Sequence, residues 1–257
     1  MRTRGDFTDR ERLLEQYGDS LRFRTRVDAH REFGERKESF HAWLVDRLDP
    51  QSGDHVADVG CGPGDYFQLL AGRGARVVGC DLSPGMAQEA RRAGFPTVVA
   101  DAQHLPLASG TFERVMCNHV LYHVPDQRAA LLELHRIARP GGTVLIATNG
   151  TDTLREFDEV ARQAGRDLGH ELPARRRSPF TLEDGEVVRS VFPSARVERF
   201  ENRLVFPEPE PAIDYLRSWI GGTGPLEDAM RRRIAGVIER EGAFRVDTIA
   251  GCFVAEV

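Results

Sequence analysis

Apolar and polar positions follow two periods along this chain, and the switches between them mark out its elements. Between residues 54 and 150, short apolar runs cover 56–59, 75–81, 98–102, 112–118 and 143–148. Runs of this length read as strands buried on both faces. Polar stretches with helical spacing separate them, and strands alternating with helices predict a parallel sheet. Four helices are expected between the five strands, the last over 126–138 and ended by Arg139-Pro140-Gly141-Gly142.

The flanks carry the helical period further. Leu13, Leu14, Tyr17, Leu21 and Phe23, then Phe33, Phe40, Trp43, Leu44 and Leu48, recur at spacings of three and four, which predicts amphipathic helices before the first strand. Leu154–Leu168 presents an apolar stripe of Leu154, Phe157, Val160, Ala161 and Ala164. Thr181-x-x-Asp184 has the spacing of a capping box, with Asp in place of Glu, ahead of a helix holding Val187, Val188 and Val191. Ala195–Glu201 and Ile249–Val257 read as the sixth and seventh strands. Between them Pro207, Pro209 and Pro211 form a stiff lead-in to helices over Ala212–Ile220 and Leu226–Arg240, broken by Gly221-Gly222-Thr223-Gly224. The expected organisation is an N-terminal helical cap over 1–52 and one domain over 53–257, with a helical insertion at about 207–243.

Bulk properties narrow the function classes. A chain of 257 residues can bury one large core. Its net charge of −5, from 35 basic and 40 acidic residues, lacks the strongly basic balance of a dedicated nucleic-acid binder. No apolar run approaches the roughly 18 residues that span a bilayer. The start, Met1-Arg2-Thr3-Arg4-Gly5-Asp6-Phe7, holds no apolar leader segment, so a cytoplasmic location is expected. Cys61, Cys80, Cys117 and Cys252 form no C-x-x-C pair and read as small buried residues kept reduced. His119 and His123 lie four apart without a third ligand at recognisable spacing, so no metal is expected. Arg175–Arg177 and Arg231–Arg233 read as solvated faces at least as well as anion grips.

The chemistry concentrates where the first strand meets a glycine turn, Val56-Ala57-Asp58-Val59-Gly60-Cys61-Gly62-Pro63-Gly64. Glycines there allow a sharp turn and close approach of the backbone to a ligand, and Pro63 is read as opening a helix. The dinucleotide fingerprint needs glycine at position 65, where this chain has Asp65, and Pro63 removes an N–H that could face a pyrophosphate. Asp58, just ahead of the turn, suits an ammonium group better than a phosphate. Asp81 closes the second strand, where an acid meets ribose hydroxyls. Ser83 then reads as an N-cap and Pro84 as the first helical residue. Leu82 and Met86 offer an apolar surface to an adenine ring.

With Asp101-Ala102 closing the third strand, Gln103-His104-Leu105-Pro106-Leu107 behind it and Pro140-Gly141-Gly142 before the fifth, the chain resembles the class I S-adenosylmethionine-dependent methyltransferases, in their type 11, small-molecule branch. The resemblance covers roughly residues 55–150. It implies an α/β fold with a doubly wound, seven-stranded, Rossmann-like sheet of order 3-2-1-4-5-7-6, its last strand antiparallel, with helical additions. It implies S-adenosylmethionine as cofactor and S-adenosylhomocysteine as product. The implied cofactor residues are Asp58, Gly60, Cys61, Gly62, Gly64, Asp81, Leu82, Met86, Asp101, Ala102, Gln103, Asn118 and His119.

In that family the acceptor faces the segment after the fourth strand, here Asn118-His119-Val120-Leu121-Tyr122-His123. Methyl transfer is an in-line displacement governed by proximity and orientation. A neutral histidine serves as base where the nucleophile starts protonated, so His123 and His119 are the catalytic candidates. Tyr17, His30, Trp43, Tyr122, Asn149, Arg203, Tyr215 and Trp219 are candidates for the substrate pocket. Relatives often carry a histidine three residues after the Asn-Gly that ends the fifth strand; here that position is Thr153. The segment also departs from the Asn/Asp-Pro-Pro-aromatic run of enzymes that methylate nucleic-acid or glutamine nitrogens. The expected partner is therefore a small organic acceptor rather than nucleic acid or a membrane, for a monomer or homodimer. The same fold leaves open other sulfonium chemistry (intramolecular cyclisation or aminocarboxypropyl transfer) and cofactor binding without catalysis. An NAD dehydrogenase would bind NADH instead.

Overall fold

Runs of β-branched and small apolar residues that must avoid water on both faces pair side by side in the middle of the molecule. The computed structural model describes Thr8 and residues 21–172, 178–220 and 224–257, without the side chains of 21–23 and 219–220. Two helices, α1 (Leu21–Phe33) and α2 (Phe40–Leu48), precede β1 (His55–Val59). Then follow α3 (Phe67–Gly72), β2 (Arg76–Asp81), α4 (Pro84–Arg92), β3 (Thr97–Val99), β4 (Phe112–Asn118), α5 (Gln127–Ile137) and β5 (Ala138–Asn149). The C-terminal part holds α6 (Arg155–Asp167), α7 (Gly185–Arg189), β6 (Arg196–Phe206), α8 (Pro209–Ile220), α9 (Pro225–Glu241) and β7 (Phe244–Glu256).

The sheet runs β3-β2-β1-β4-β5-β7-β6. Strands β1 to β5 are parallel, and β7 is antiparallel to both neighbours. This is the expected order and the expected reversed strand. Alternation along each strand divides the core in two. Ala57, Val59, Val115 and Val144 pack with Leu131, Leu134 and Ile137 of α5. Val56, Met116 and Leu145 pack with Trp43, Leu44 and Leu48 of α2 and with Phe67 and Leu70 of α3. Asp58, two residues from Val56, therefore points to the α2–α3 side. No helix among the described residues is long and apolar enough to cross a membrane.

Several local expectations are corrected. Turns occupy residues 62–66, so α3 starts at Phe67 and Pro63 does not open it. Residues 100–111 carry no helix, leaving the β3–β4 connection as a loop, and β3 ends at Val99 rather than Ala102. Thr181 does not cap a helix: its N–H and hydroxyl donate to Asp184 Oδ2 at 2.8 and 2.9 Å, and Asp184 precedes α7. Helix α5 stops at Ile137 and β5 begins at Ala138. Pro209 and Pro211 lie within the first turn of α8, where a missing N–H breaks no helical bond.

The largest correction concerns β6 and β7. They form one long antiparallel hairpin, in register from Arg196↔Val254 to Phe206↔Phe244, well past the sheet proper. A third core fills its far end. Leu204, Phe206, Phe244 and Val246 pack with Phe157 of α6, Tyr215 of α8 and Ile234 of α9. The segment between α1 and α2 straps onto the hairpin edge: Glu35 N–H donates to Arg203 O at 2.9 Å and Arg36 N–H to Asn202 Oδ1 at 2.8 Å. Gly34 is needed there, because a Cβ would stand 2.4 Å from His30 O.

Candidate active site

The glycine turn and the end of β2 form one hydrogen-bonded unit. Gly60, Gly62 and Gly64 have φ of 75, 56 and 91°, values that L side chains rarely adopt. Gly60 and Cys61 N–H both donate to Cys80 O, at 2.6 and 3.0 Å. Gly62 N–H donates to Asp81 Oδ2 at 2.8 Å, and Ser83 N–H donates to Oδ1 at 2.8 Å. Ser83 in turn caps α4 by accepting from Met86 N–H at 3.3 Å. A Cβ on Gly60 would stand 2.1 Å from Val120 Cγ2, so this glycine lets the segment after β4 close against the turn. Around Gly62 a Cβ would meet nothing within 4 Å.

Acids line one bank. Asp58 is only 1% exposed, and neither carboxyl oxygen has a hydrogen-bond partner. Burial, reinforced by the charges of Asp81 and Asp65, pushes its pKa up to about 8. Burial also raises Asp81, against the two N–H groups that favour its ionised form. Asp101 sits beside it across the strand ends, where Ala100 N–H donates to Asp81 O at 2.9 Å. Its Oδ1 accepts from Gln103 N–H and Nε2, at 2.9 and 3.0 Å. Met86 and Ala102 are buried and Leu82 is half-buried beside these strand ends. Burial drives the Cys61 thiol far up and Cys80 up to about 12, so both are inert apolar groups.

The other bank is the segment after β4. Asn118 is buried, with both side-chain polar atoms lacking partners. His119 adopts φ 59°, its N–H donating to Ala147 O at 2.8 Å, and its buried Nδ1 has no partner. Burial, together with the nearby His41, Arg26, His30 and His123, lowers its pKa to about 4. A short 3-10 turn over Leu121–His123 follows, with the rings of Tyr122 and His123 4.4 Å apart. Tyr122 also lies 6.3 Å from the His119 ring.

The flanking segments close over this bank. From α2, Phe40 packs on His119 at 5.7 Å and on Trp43 at 5.8 Å. Trp43 itself is core, 2% exposed, rather than an open pocket wall. From α1, His30 Nε2 lies 3.3 Å from the Tyr215 hydroxyl of α8. Two residues not anticipated from sequence join them: His41 of α2 and Tyr66 after the glycine turn, with rings 4.7 Å apart. Their sequence signals were a place in the amphipathic segment with Phe40 and Trp43 for His41 and nearness to Gly64 for Tyr66, and neither specifies a direction.

Other candidates are not brought here. Arg203 donates to Asp247 Oδ1 at 2.6 Å on the exposed hairpin edge. Asn149 closes β5 and its carbonyl accepts from Leu182 N–H at 3.1 Å. Arg231 pairs with Glu210, Glu227 and Asp228, and Arg233 with Asp167, all on helix surfaces. Tyr17, the side chain of Trp219 and Arg175–Arg177 lie outside the described residues. No group of three or more His, Cys, Asp or Glu among the described residues could hold a metal ion.

This arrangement of turn, strand-end acids and β4 segment can be compared with known proteins. A family model described as "Methyltransferase domain" matches residues 57–146, the stretch from the first strand to the fifth. The demethylmenaquinone methyltransferase of Corynebacterium kroppenstedtii is 35% identical over 114 residues, 44% of this chain and 50% of that protein. Residues 57–146 carry this methyltransferase domain. A malonyl-[acyl-carrier protein] O-methyltransferase of Serratia marcescens is 34% identical over 113 residues, 43% of this chain and 44% of that protein. A solved phosphoethanolamine N-methyltransferase from Haemonchus contortus, in complex with phosphomonomethylethanolamine and S-adenosylhomocysteine, matches with TM-score 0.56 at 19% identity. It covers 100% of this chain and 60% of that one, and at this identity the likeness is one of fold. The chain spans about half the length of the curated relatives it matches.

Within this methyltransferase domain the residues present fit an adenosyl amino acid. The buried carboxyl of Asp58, with neither oxygen partnered, is costly alone and matches a ligand ammonium group. Space around the Cβ position of Gly62 suits close approach of a ligand to the turn.

Proposed function

We propose that this chain transfers the methyl group of S-adenosylmethionine to a small organic acceptor by direct in-line displacement. The observation that carries this reading is the buried Asp58 carboxyl behind the Gly60–Gly64 turn, unpartnered like the side-chain amide of Asn118 and the Nδ1 of His119 after β4. When bound, the cofactor supplies an electrophilic methyl carbon on a sulfonium. Asp58 takes its ammonium group, Asp81 the ribose hydroxyls, and Asp101 with Gln103 the adenine edge between Leu82, Met86 and Ala102. Gly60, Cys61, Gly62 and Gly64 hold the methionine part close to the backbone, and Asn118 and His119 close the other side. His119 or His123 accepts a proton from the acceptor where one must leave, and Tyr122 lines the pocket with His30 and Tyr215. Residues 1–52 act as a cap and 207–243 as an insertion that together exclude water. The protein works in the cytoplasm, as a monomer or homodimer.

The two relatives' names, a quinone-precursor and a carrier-protein methyltransferase, support the reaction type and leave the acceptor to experiment. The test is incubation of the protein with methyl-labelled S-adenosylmethionine and a metabolite extract. Label in a small molecule together with S-adenosylhomocysteine supports the reading. Methylthioadenosine as by-product means another carbon–sulfur bond broke and sinks it. Unchanged turnover in the His119→Ala/His123→Ala double variant removes the base assignment.

A further inference from the structure

Residues 100–111 run from the end of β3 to the start of β4 without a helix. Their backbone groups must find partners elsewhere, and α5 supplies them from one end to the other. At its N-terminal end, Asp126 N–H donates to Gln103 Oε1 at 3.1 Å. Gln103 Nε2 turns the other way and donates to both oxygens of Asp101, at 3.0 and 3.1 Å. Farther along the helix, Glu133 Oε2 accepts from Leu105 N–H at 2.7 Å. Arg136 Nη2 donates to Leu105 O at 3.0 Å and Nη1 to Leu107 O at 2.8 Å. At the C-terminal end the carbonyls of Arg136 and Ile137, which a helix leaves without internal donors, accept from Gly110 and Thr111 N–H at 2.8 and 2.9 Å.

Glu133 and Arg136 form the centre of this splint. They lie one turn apart and pair as a fork, Nε to Oε1 at 2.7 Å and Nη2 to Oε2 at 2.8 Å. Between them they engage both backbone groups of Leu105, which is buried. The Arg136 guanidinium holds the Glu133 carboxyl below the ordinary carboxylate range, and Leu105 N–H adds to the effect. A partly exposed pair of this kind adds little to global stability. Its reach is local, onto a loop whose first residues are Asp101, Ala102 and Gln103. Hydrogen bonds weaken steeply with misalignment, so a carboxylate that reads a base needs a second set of residues to hold it.

We propose that Glu133 and Arg136 are positioning residues for recognition of the cofactor's base: by gripping Leu105 they hold Asp101 and Gln103 where a carboxylate selects an amino group over a carbonyl oxygen. The proposal rests on the methyl-transfer reading and on the placement of adenine beside Asp101 in it. The pair acts through the loop, about thirty residues away in sequence from the groups it orients.

The test is calorimetry of S-adenosylhomocysteine and S-inosylhomocysteine, in which a carbonyl oxygen replaces the adenine amino group, against the full chain. The unaltered chain is expected to prefer S-adenosylhomocysteine by about tenfold or more, the worth of one hydrogen bond to a charged group. In Glu133→Ala, and in Arg136→Lys, which keeps the charge and loses the fork, that preference should fall by about threefold or more, through weaker S-adenosylhomocysteine binding alone. Glu133→Gln should recover part of it, because its amide oxygen can still accept from Leu105 N–H. Equal weakening of both ligands in the variants, or an unchanged preference, overturns the proposal, since the pair would then only brace the fold. Equal binding of the two ligands to the unaltered chain also overturns it while leaving methyl transfer intact. Failure of the unaltered chain to bind S-adenosylhomocysteine sinks the methyl-transfer reading itself.

Discussion

The amide of Gly62 donates to Oδ2 of Asp81 at 2.8 Å, so the turn after β1 is held by the acid that ends β2. The same carboxylate accepts from Ser83, at the start of α4. Asp81→Ala leaves two amides without these acceptors. It is expected to destabilise the protein by about 1–3 kcal/mol and to weaken S-adenosylhomocysteine binding by tenfold or more. Urea denaturation and calorimetry on the same variant check both effects.

Gly60 and Gly62 differ in what a methyl group would meet. At Gly60, with φ 75°, a Cβ would stand 2.1 Å from Val120 Cγ2, so Gly60→Ala adds a collision to backbone strain. At Gly62, with φ 56°, nothing lies within 4 Å, so Gly62→Ala carries strain alone, about 1–2 kcal/mol. Gly60→Ala should therefore lower Tm by more than Gly62→Ala, while both lose cofactor affinity. Equal Tm losses would contradict the close approach of Val120.

Asp58 links cofactor binding to protons. With its pKa pushed up to about 8, this carboxyl is mostly protonated at neutral pH, and an ammonium partner favours the ionised form. Binding at pH 7 should release close to one proton from Asp58 in the unaltered chain and none from that position in Asp58→Asn. Calorimetry in two buffers of different ionisation enthalpy measures the difference.

Stability without ligand should peak near pH 6.5. His30 and His119 are held at about 4 against 6.5 in the unfolded chain, so the unfolded state binds more protons as pH falls through that window and stability is lost. Each contributes up to about 1.4 kcal/mol per pH unit. Asp58 acts the opposite way: its raised pKa means that stability is present at low pH and is lost as pH rises from 3.8 through about 8. Below 6.5 the two histidines outweigh it; above 6.5 it outweighs them. Thermal melts across pH 5–8.5 should show the maximum, and Asp58→Asn should flatten its alkaline side.

What the chain states locally was legible in its sequence. Strand runs, the glycine turn and the acids at strand ends depend on side-chain period and on φ values open to glycine, which neighbouring residues decide among themselves. The order and direction of the strands followed from the resemblance those residues carried, and the sheet has that order. Pro63 and Thr181 misled because turns and helix starts share their residues, and only hydrogen bonds made farther along separate the two.

Tertiary structure alone decided the rest. The reach of β6 and β7 past the sheet depends on Leu204, Phe206, Phe244 and Val246 finding α6, α8 and α9 to cover them, a burial that strand periodicity does not encode. The meeting of His30 with Tyr215, and of His41 with Tyr66, depends on α1 and α2 being strapped to that hairpin at Asn202 and Arg203. A sequence specifies which side chains can carry charge or a proton. Which of them stand together out of water is set by how separate elements pack, and this packing brought His30 to Tyr215 and His41 to Tyr66.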